Sequence, residues 1–210
     1  KQIISTGSYD GKTEKIIKKN NNVFATLLYT DDALRSALEG YKNLPEYDNT
    51  IFIITGDHRL IPIPQRNSIS RFHVPLIVYS PLLKTSRKMS SISSHFDVTP
   101  TLLALLSQQY EMKMPKKVAW MGGALDVTKE FRSTKDIPLM RNKNELKEYI
   151  SGKKVYSDGR VYEIDRKMNL STSFGSSNAE SKLKAFKSIN AYVTTNNKII
   201  PDSLAIFTVA

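Results

Sequence analysis

The sequence predicts an α/β layered core followed by an α+β extension, and three observations carry that expectation. Apolar residues at three- and four-residue spacing mark a helix ahead of Pro45. Two short, uninterrupted apolar runs, at 51–54 and 74–79, have the β-branched content and the length of strands. After about Pro115 the pattern changes to Tyr/Val-rich strand sequence, a turn, and a last helix.

The elements follow in order. Residues 1–22 are polar and Lys/Asn-rich, with Gly7 and Gly11 as turn residues, and read as a loop. From Val23 to Leu44, Phe24, Leu27, Leu28, Leu34, Leu38 and Tyr41 form one face of an amphipathic helix. Ile51-Phe52-Ile53-Ile54 then reads as a strand buried on both faces, as in a parallel sheet covered by helices, and it stops at Thr55-Gly56-Asp57-His58. A second run, Val74 to Tyr79, ends at Ser80-Pro81. Asp97-Val98-Thr99-Pro100 opens another helix, with Asp97 or Thr99 as its cap and Leu102, Leu103, Leu105 and Leu106 facing inward. In the extension, Ser157-Asp158-Gly159-Arg160 between Tyr/Val-rich flanks predicts a hairpin over 155–164. Ser177-Asn178-Ala179-Glu180 has the pattern of a capping box. It opens a helix with Leu183, Phe186, Ile189 and Val193 on one side, ended by Asn196-Asn197 and Pro201. The expected organisation is a core at 1–114 and an extension at 115–210.

Composition narrows the class of protein. With 210 residues, 40% hydrophobic and 24% charged, the chain can bury one sizeable core and a small appendage, which argues against disorder. No apolar run approaches the roughly 18 residues that span a bilayer. The chain has no cysteine, so thiolate ligands, cysteine nucleophiles and disulfides are excluded. It starts at Lys1 without a leader pattern, as expected of a fragment or processed product. The net charge of +11 is compatible with anionic partners. Its lysines nevertheless fall in short groups, such as Lys15, Lys18 and Lys19, then Lys113, Lys116 and Lys117, then Lys153 and Lys154. No aromatic platform is interleaved with them, so a solvated basic surface is the better reading and nucleic acid ranks last among partners.

Chemistry concentrates at Asp57 and His58. A strand that ends on a Gly turn delivers its next residues to the sheet edge, where α/β proteins bind ligands. Adjacent carboxylate and imidazole donors suit Zn²⁺ or Mn²⁺. The tripeptide alone better describes a polar turn whose Asp caps a helix and whose His is solvated.

Its context points further. Tyr47-Asp48-Asn49-Thr50-Ile51-Phe52-Ile53-Ile54-Thr55-Gly56-Asp57-His58 resembles the metal-binding strand of the alkaline-phosphatase/sulfatase superfamily, in its lipoteichoic-acid-synthase-like sulfatase branch. The resemblance extends to His73-Val74-Pro75-Leu76-Ile77-Val78-Tyr79-Ser80-Pro81, to Asp97-Val98-Thr99-Pro100-Thr101-Leu102-Leu103, and upstream to Tyr29-Thr30-Asp31-Asp32-Ala33-Leu34. These four blocks keep the family's order over roughly residues 27–107.

The resemblance implies alkaline-phosphatase-like α/β/α layers, present in part, with Asp57 and His58 as two ligands of a Mn or Zn ion. Arg59 stands where many members have Gly, and either meets an anionic substrate or turns to water. His73 matches, at a different spacing, a histidine that approaches substrate in related phosphoethanolamine transferases; the alternative is a histidine bonded to backbone at a strand entry. His95 carries less weight, and Asp97 reads as a helix cap. Asp31 and Asp32 need no role beyond the surface of their helix. Trp120, Tyr156 and Tyr162 read as packing.

The implied activity is that of a metal-dependent sulfatase-like hydrolase, or a phosphoglycerol- or phosphoethanolamine-type transferase, acting on phosphate or sulfate esters. No catalytic nucleophile is identified in the chain. Ser5, Thr6, Ser8 and Thr13 are hydroxyls in a stretch read as loop, so the chain is expected to be inactive without the N-terminal half of its parent. The expected partners are therefore that half and an ester substrate, a lipid headgroup or cell-envelope glycan among them. An extracytoplasmic, membrane-anchored parent is implied. The alternative reading is a non-catalytic domain of the same fold that binds an anionic polymer or headgroup.

Overall fold

In the computed structural model of this protein, residues 10–61, 63–115, 118, 120–142, 145–175 and 177–198 are described. Ser5, Thr6, Gly7, Ser8, Lys116, Lys117 and Pro201 lie outside them. Among the described residues the fold is mixed α/β, with four helices and two antiparallel sheets. Contacts separate two compact units, Lys1–Ser86 and Arg87–Ala210. The boundary expected at 114/115 rests instead on the change of sequence pattern near Pro115.

The first unit opens with a helix where the sequence reading expects loop. α1 (Gly11–Lys19) starts because the Asp10 carboxylate accepts from Thr13 N–H at 2.7 Å and Glu14 lies in the first turn, where it meets the positive end of the helix dipole. Ile17 is buried. Asn20 closes the helix with its own N–H and side-chain amide on the Ile16 carbonyl. α2 (Asn21–Tyr41) follows the expected periodicity, but its apolar face is covered unevenly. Phe24, Leu34, Leu38 and Tyr41 are half-buried, whereas Leu27 and Leu28 are exposed.

β1 (Phe52–Thr55) and β2 (Leu76–Tyr79) correct the expectation of a doubly buried parallel strand. They pair antiparallel, with Phe52 opposite Tyr79 and Thr55 opposite Leu76, and both are only partly covered. An apolar run does not specify strand direction; the connection does. Parallel neighbours need a crossover, usually helical. Among the described residues the 56–75 link carries one regular element, the 3-10 turn Ser70–Phe72. An aromatic cluster fastens α2 to this ribbon. The Tyr41 ring meets Phe52 edge-on at 5.0 Å, Phe52 lies 5.8 Å from Tyr79, and the Tyr47 and Tyr79 hydroxyls are hydrogen-bonded.

The second unit begins with a 3-10 turn, His95–Asp97, leading into α3 (Val98–Tyr110). Asp97 stands at the start of α3, but its side chain makes no cap bond to that helix, against the expectation. Its buried carboxylate accepts from Ser94 N–H at 2.9 Å, Gly123 N–H at 2.9 Å and the Lys135 ammonium at 3.1 Å. Thr101 adds a relay, donating to the Asp97 carbonyl at 2.6 Å and accepting from Leu125 N–H at 2.8 Å. These bonds tie the loop at 122–125 to the start of α3. Pro100 is buried, but Leu105 and Leu106, expected inside, are exposed.

The rest of the unit is a five-stranded antiparallel meander of β3 (Asp136–Asn142), β4 (Glu145–Ser151), β5 (Lys154–Ser157), β6 (Arg160–Ile164) and β7 (Leu170–Thr172). The expected hairpin is β5–β6, turning through Asp158 and Gly159, both at positive φ. α4 (Ala179–Asn196) packs on β4 through Leu146, Tyr149, Ala179 and Leu183, with Tyr156 and Phe186 at the edge. Ser177 does not form the expected capping box. Its hydroxyl accepts from Ala179 N–H instead, and Ile189 on the same stripe is 63% exposed.

Leu146 and Tyr149 are three positions apart, which a regular strand would place on opposite faces. They share the α4 face because Met140 opposes Leu146 while Leu139 opposes Glu148, leaving Lys147 as an extra residue. A second irregularity leaves Arg141 extra on β3, between Met140 opposite Leu146 and Asn142 opposite Glu145. Arg141 is thereby released to bridge buried Glu148 and, at 2.8 Å, Asp158 at the hairpin tip. The Glu148 contact holds the Arg141 guanidinium even more firmly protonated than usual.

Two outcomes follow from this packing. Arg141→Ala leaves the Glu148 carboxylate buried without its cation and should lower unfolding free energy by about 3–5 kcal/mol in urea titrations. Gly122→Ala would place a Cβ 1.9 Å from the Phe96 carbonyl oxygen, so the loop must shift. Loss of about 3 kcal/mol or more is expected by the same measurement.

Candidate metal centre

The sequence positions Asp57 and His58 by ending β1 on Gly56. A Cβ at Gly56 would meet the Val74 side chain at 3.3 Å, so glycine lets the turn lie against the segment entering β2. Thr55 reinforces this closure, its hydroxyl donating to the Pro75 carbonyl at 2.7 Å. The ribbon therefore brings 57–58 and 73–74 to one end, because Thr55 pairs with Leu76 in an antiparallel ladder.

The two donor side chains converge. Asp57 Oδ2 and His58 Nε2 are 3.7 Å apart, with the aspartate side chain 88% and the histidine side chain 65% exposed. The other ring nitrogen, Nδ1, lies 2.7 Å from the Arg59 carbonyl oxygen. Since a carbonyl can only accept, this contact requires Nδ1–H, and the neutral ring then keeps its lone pair on Nε2, toward Asp57. Two donors about 2.1 Å from one divalent ion can be at most about 4.2 Å apart. The observed pair lies within that span. A hard oxygen and an imidazole nitrogen also suit Mn or Zn, so these residues fit such an ion.

Arg59 and His73 are placed differently from the pair. The Arg59 guanidinium folds back to donate to the Ile61 carbonyl at 3.0 Å and is half-buried. His73 is exposed and follows the 3-10 turn Ser70–Phe72, whose start is fixed by Asn67 accepting from Ser70 N–H at 2.9 Å and its hydroxyl at 2.8 Å. Among the described residues no set of three His, Cys, Asp or Glu side chains gathers as a metal cage. His95 is exposed at the start of the 3-10 turn before α3. Asp31 is exposed and pairs with Arg35 at 3.5 Å, a helix-surface contact. Sequence reasoning passed over the Thr55–Pro75 contact. Its signal was a hydroxyl at the last strand position facing a proline.

The mixed α/β fold, with four helices and two antiparallel sheets among the described residues, is consistent with a partial sulfatase-type fold. Residues 5–108 match the family model described as Sulfatase, which supports the alkaline-phosphatase/sulfatase superfamily for this stretch. No curated protein and no solved structure matches the chain.

The tautomer is directly measurable. Nitrogen-resolved NMR of the neutral ring should show His58 protonated at Nδ1, with Nε2 bare.

Proposed function

We propose that this chain is part of a metal-dependent enzyme acting on phosphate or sulfate esters, either a sulfatase-like hydrolase or a phosphoglycerol- or phosphoethanolamine-type transferase. Asp57 and His58 are two of its metal ligands. The observation that carries this reading is the 3.7 Å approach of Asp57 Oδ2 and His58 Nε2 within a sulfatase-matching stretch.

In this reading Asp57 supplies a charged oxygen, and His58 supplies Nε2 while the Arg59 carbonyl holds its other nitrogen. A Mn²⁺ or Zn²⁺ ion bound there would neutralise charge on the ester group and lower the pKa of a coordinated nucleophile. Arg59 and His73, on the same loop and at the same ribbon end, are the groups assigned to the anionic substrate. The remaining ligands and the nucleophile are assigned to the N-terminal half of the parent protein. The core spans 1–114 and the extension 115–210. Lipid headgroups and cell-envelope glycans are the proposed ester carriers, outside the cytoplasm in a membrane-anchored parent. Among the described residues no helix is long and apolar enough to cross a membrane.

Turnover of an aryl phosphodiester and an aryl sulfate with added Mn²⁺ or Zn²⁺ tests the proposal. The 210-residue chain alone should show none. In the full parent protein, Asp57→Ala should lower kcat/KM at least 100-fold. A parent that loses nothing on Asp57→Ala would sink the catalytic reading and favour a domain that binds anionic polymers without chemistry.

A further inference from the structure

We infer that Thr55 is a positioning residue for the Asp57–His58 pair, acting through a side-chain latch onto Pro75. The inference rests on the metal-site reading above and adds a residue to it.

The latch answers a defect in the ladder. β1 and β2 pair from Phe52–Tyr79 to Thr55–Leu76, and the next residue toward the site on β2 is Pro75. Proline has no N–H and cannot donate to the ladder, and the pairing ends at Thr55–Leu76. The Pro75 carbonyl is taken up instead by the Thr55 hydroxyl at 2.7 Å, which extends the cross-strand tie by a side chain where the backbone has stopped. One residue further, Gly56 lies against Val74, with room for a Cβ only at 3.3 Å.

The site begins where these ties end. Asp57 and His58 are both largely exposed, so packing does little to fix them. Beside the His58–Arg59 and Arg59–Ile61 contacts, the turn is held by its attachment to the strand entry. A Val at position 55 would keep the β-branched shape and lose only the hydroxyl; a Ser would keep the hydroxyl and lose only a methyl. With the latch gone, the Gly56 turn is free to swing from Val74, and the two donors lose their shared orientation. Thr55 touches no ion or substrate in this scheme.

The chain has three histidines, which makes the test direct. Mn²⁺ is titrated into the isotope-labelled 210-residue protein, and paramagnetic broadening of the His58 ring signals is followed. Wild type should show selective His58 broadening, abolished by Asp57→Ala. Thr55→Val should need roughly tenfold more Mn²⁺ for the same effect, a typical cost for a group that supports a ligand, with thermal melting unchanged. Thr55→Ser should restore the wild-type response. Thr55 is exposed, so these changes open no core, and Thr55→Ala repeats the test should the Val variant fold poorly. Wild-type-like broadening in both Val and Ala variants would overturn the latch and leave the metal reading standing. Absence of selective His58 broadening in wild type would overturn both.

Discussion

The antiparallel pairing of β1 with β2 is the constraint on which the candidate site depends. It turns two short apolar runs, separated by 20 residues of mostly irregular chain, into one ribbon whose end gathers the Gly56 turn and the segment entering β2. A parallel arrangement would send the end of β1 and the start of β2 to opposite ends of the sheet. Asp57 and His58 would then stand alone, without Val74 behind Gly56 or Pro75 within reach of Thr55. At the other end of the ribbon, the Tyr41–Phe52–Tyr79 ring contacts anchor it to α2. Apolar packing thus holds one end of the ribbon and polar contacts close the other.

Much of this was legible in the residues. The strand at 51–54, the stop at Gly56 and the presence of two good donors after it follow from local sequence, and the structure has β1 at Phe52–Thr55. The Asp158-Gly159 hairpin is read as reliably, because a two-residue turn at positive φ narrows the choice to a few residue types. What escaped was set by partners distant in the chain. Strand direction depends on the link, not on the run. The length of the apolar face on α2, α3 and α4 was overestimated because periodicity shows which residues align and not whether anything covers them. α1 was missed for the opposite reason. Its apolar content is confined to Ile16 and Ile17, and only the Asp10 cap announces it.

Asp97 shows how a local rule can find a residue's place and miss its bonding. The residue stands at the start of a helix, as its sequence position suggests, yet its buried carboxylate makes no cap bond there and accepts from Gly123 N–H and the Lys135 ammonium, 26 and 38 residues away. A cap satisfied only by local N–H groups would sit comfortably at the surface. Buried as it is, the charge needs a cation, and Lys135 provides it. Thr101 completes the tie by both donating and accepting.

The irregular pairing of β3 with β4 has a further consequence for how this sheet tolerates change in length. Lys147 is surplus on one strand and Arg141 on the other, so the two insertions offset and the ladder leaves the disturbance in step with how it entered. Deleting Lys147 alone would leave Leu146 and Tyr149 two positions apart, still on the α4 face, with the Arg141 irregularity no longer offset. Deleting both would leave the ends level, but at the expense of the freed arginine that joins Glu148 to the hairpin tip. The pair therefore behaves as a single unit of sequence, although its members lie on different strands.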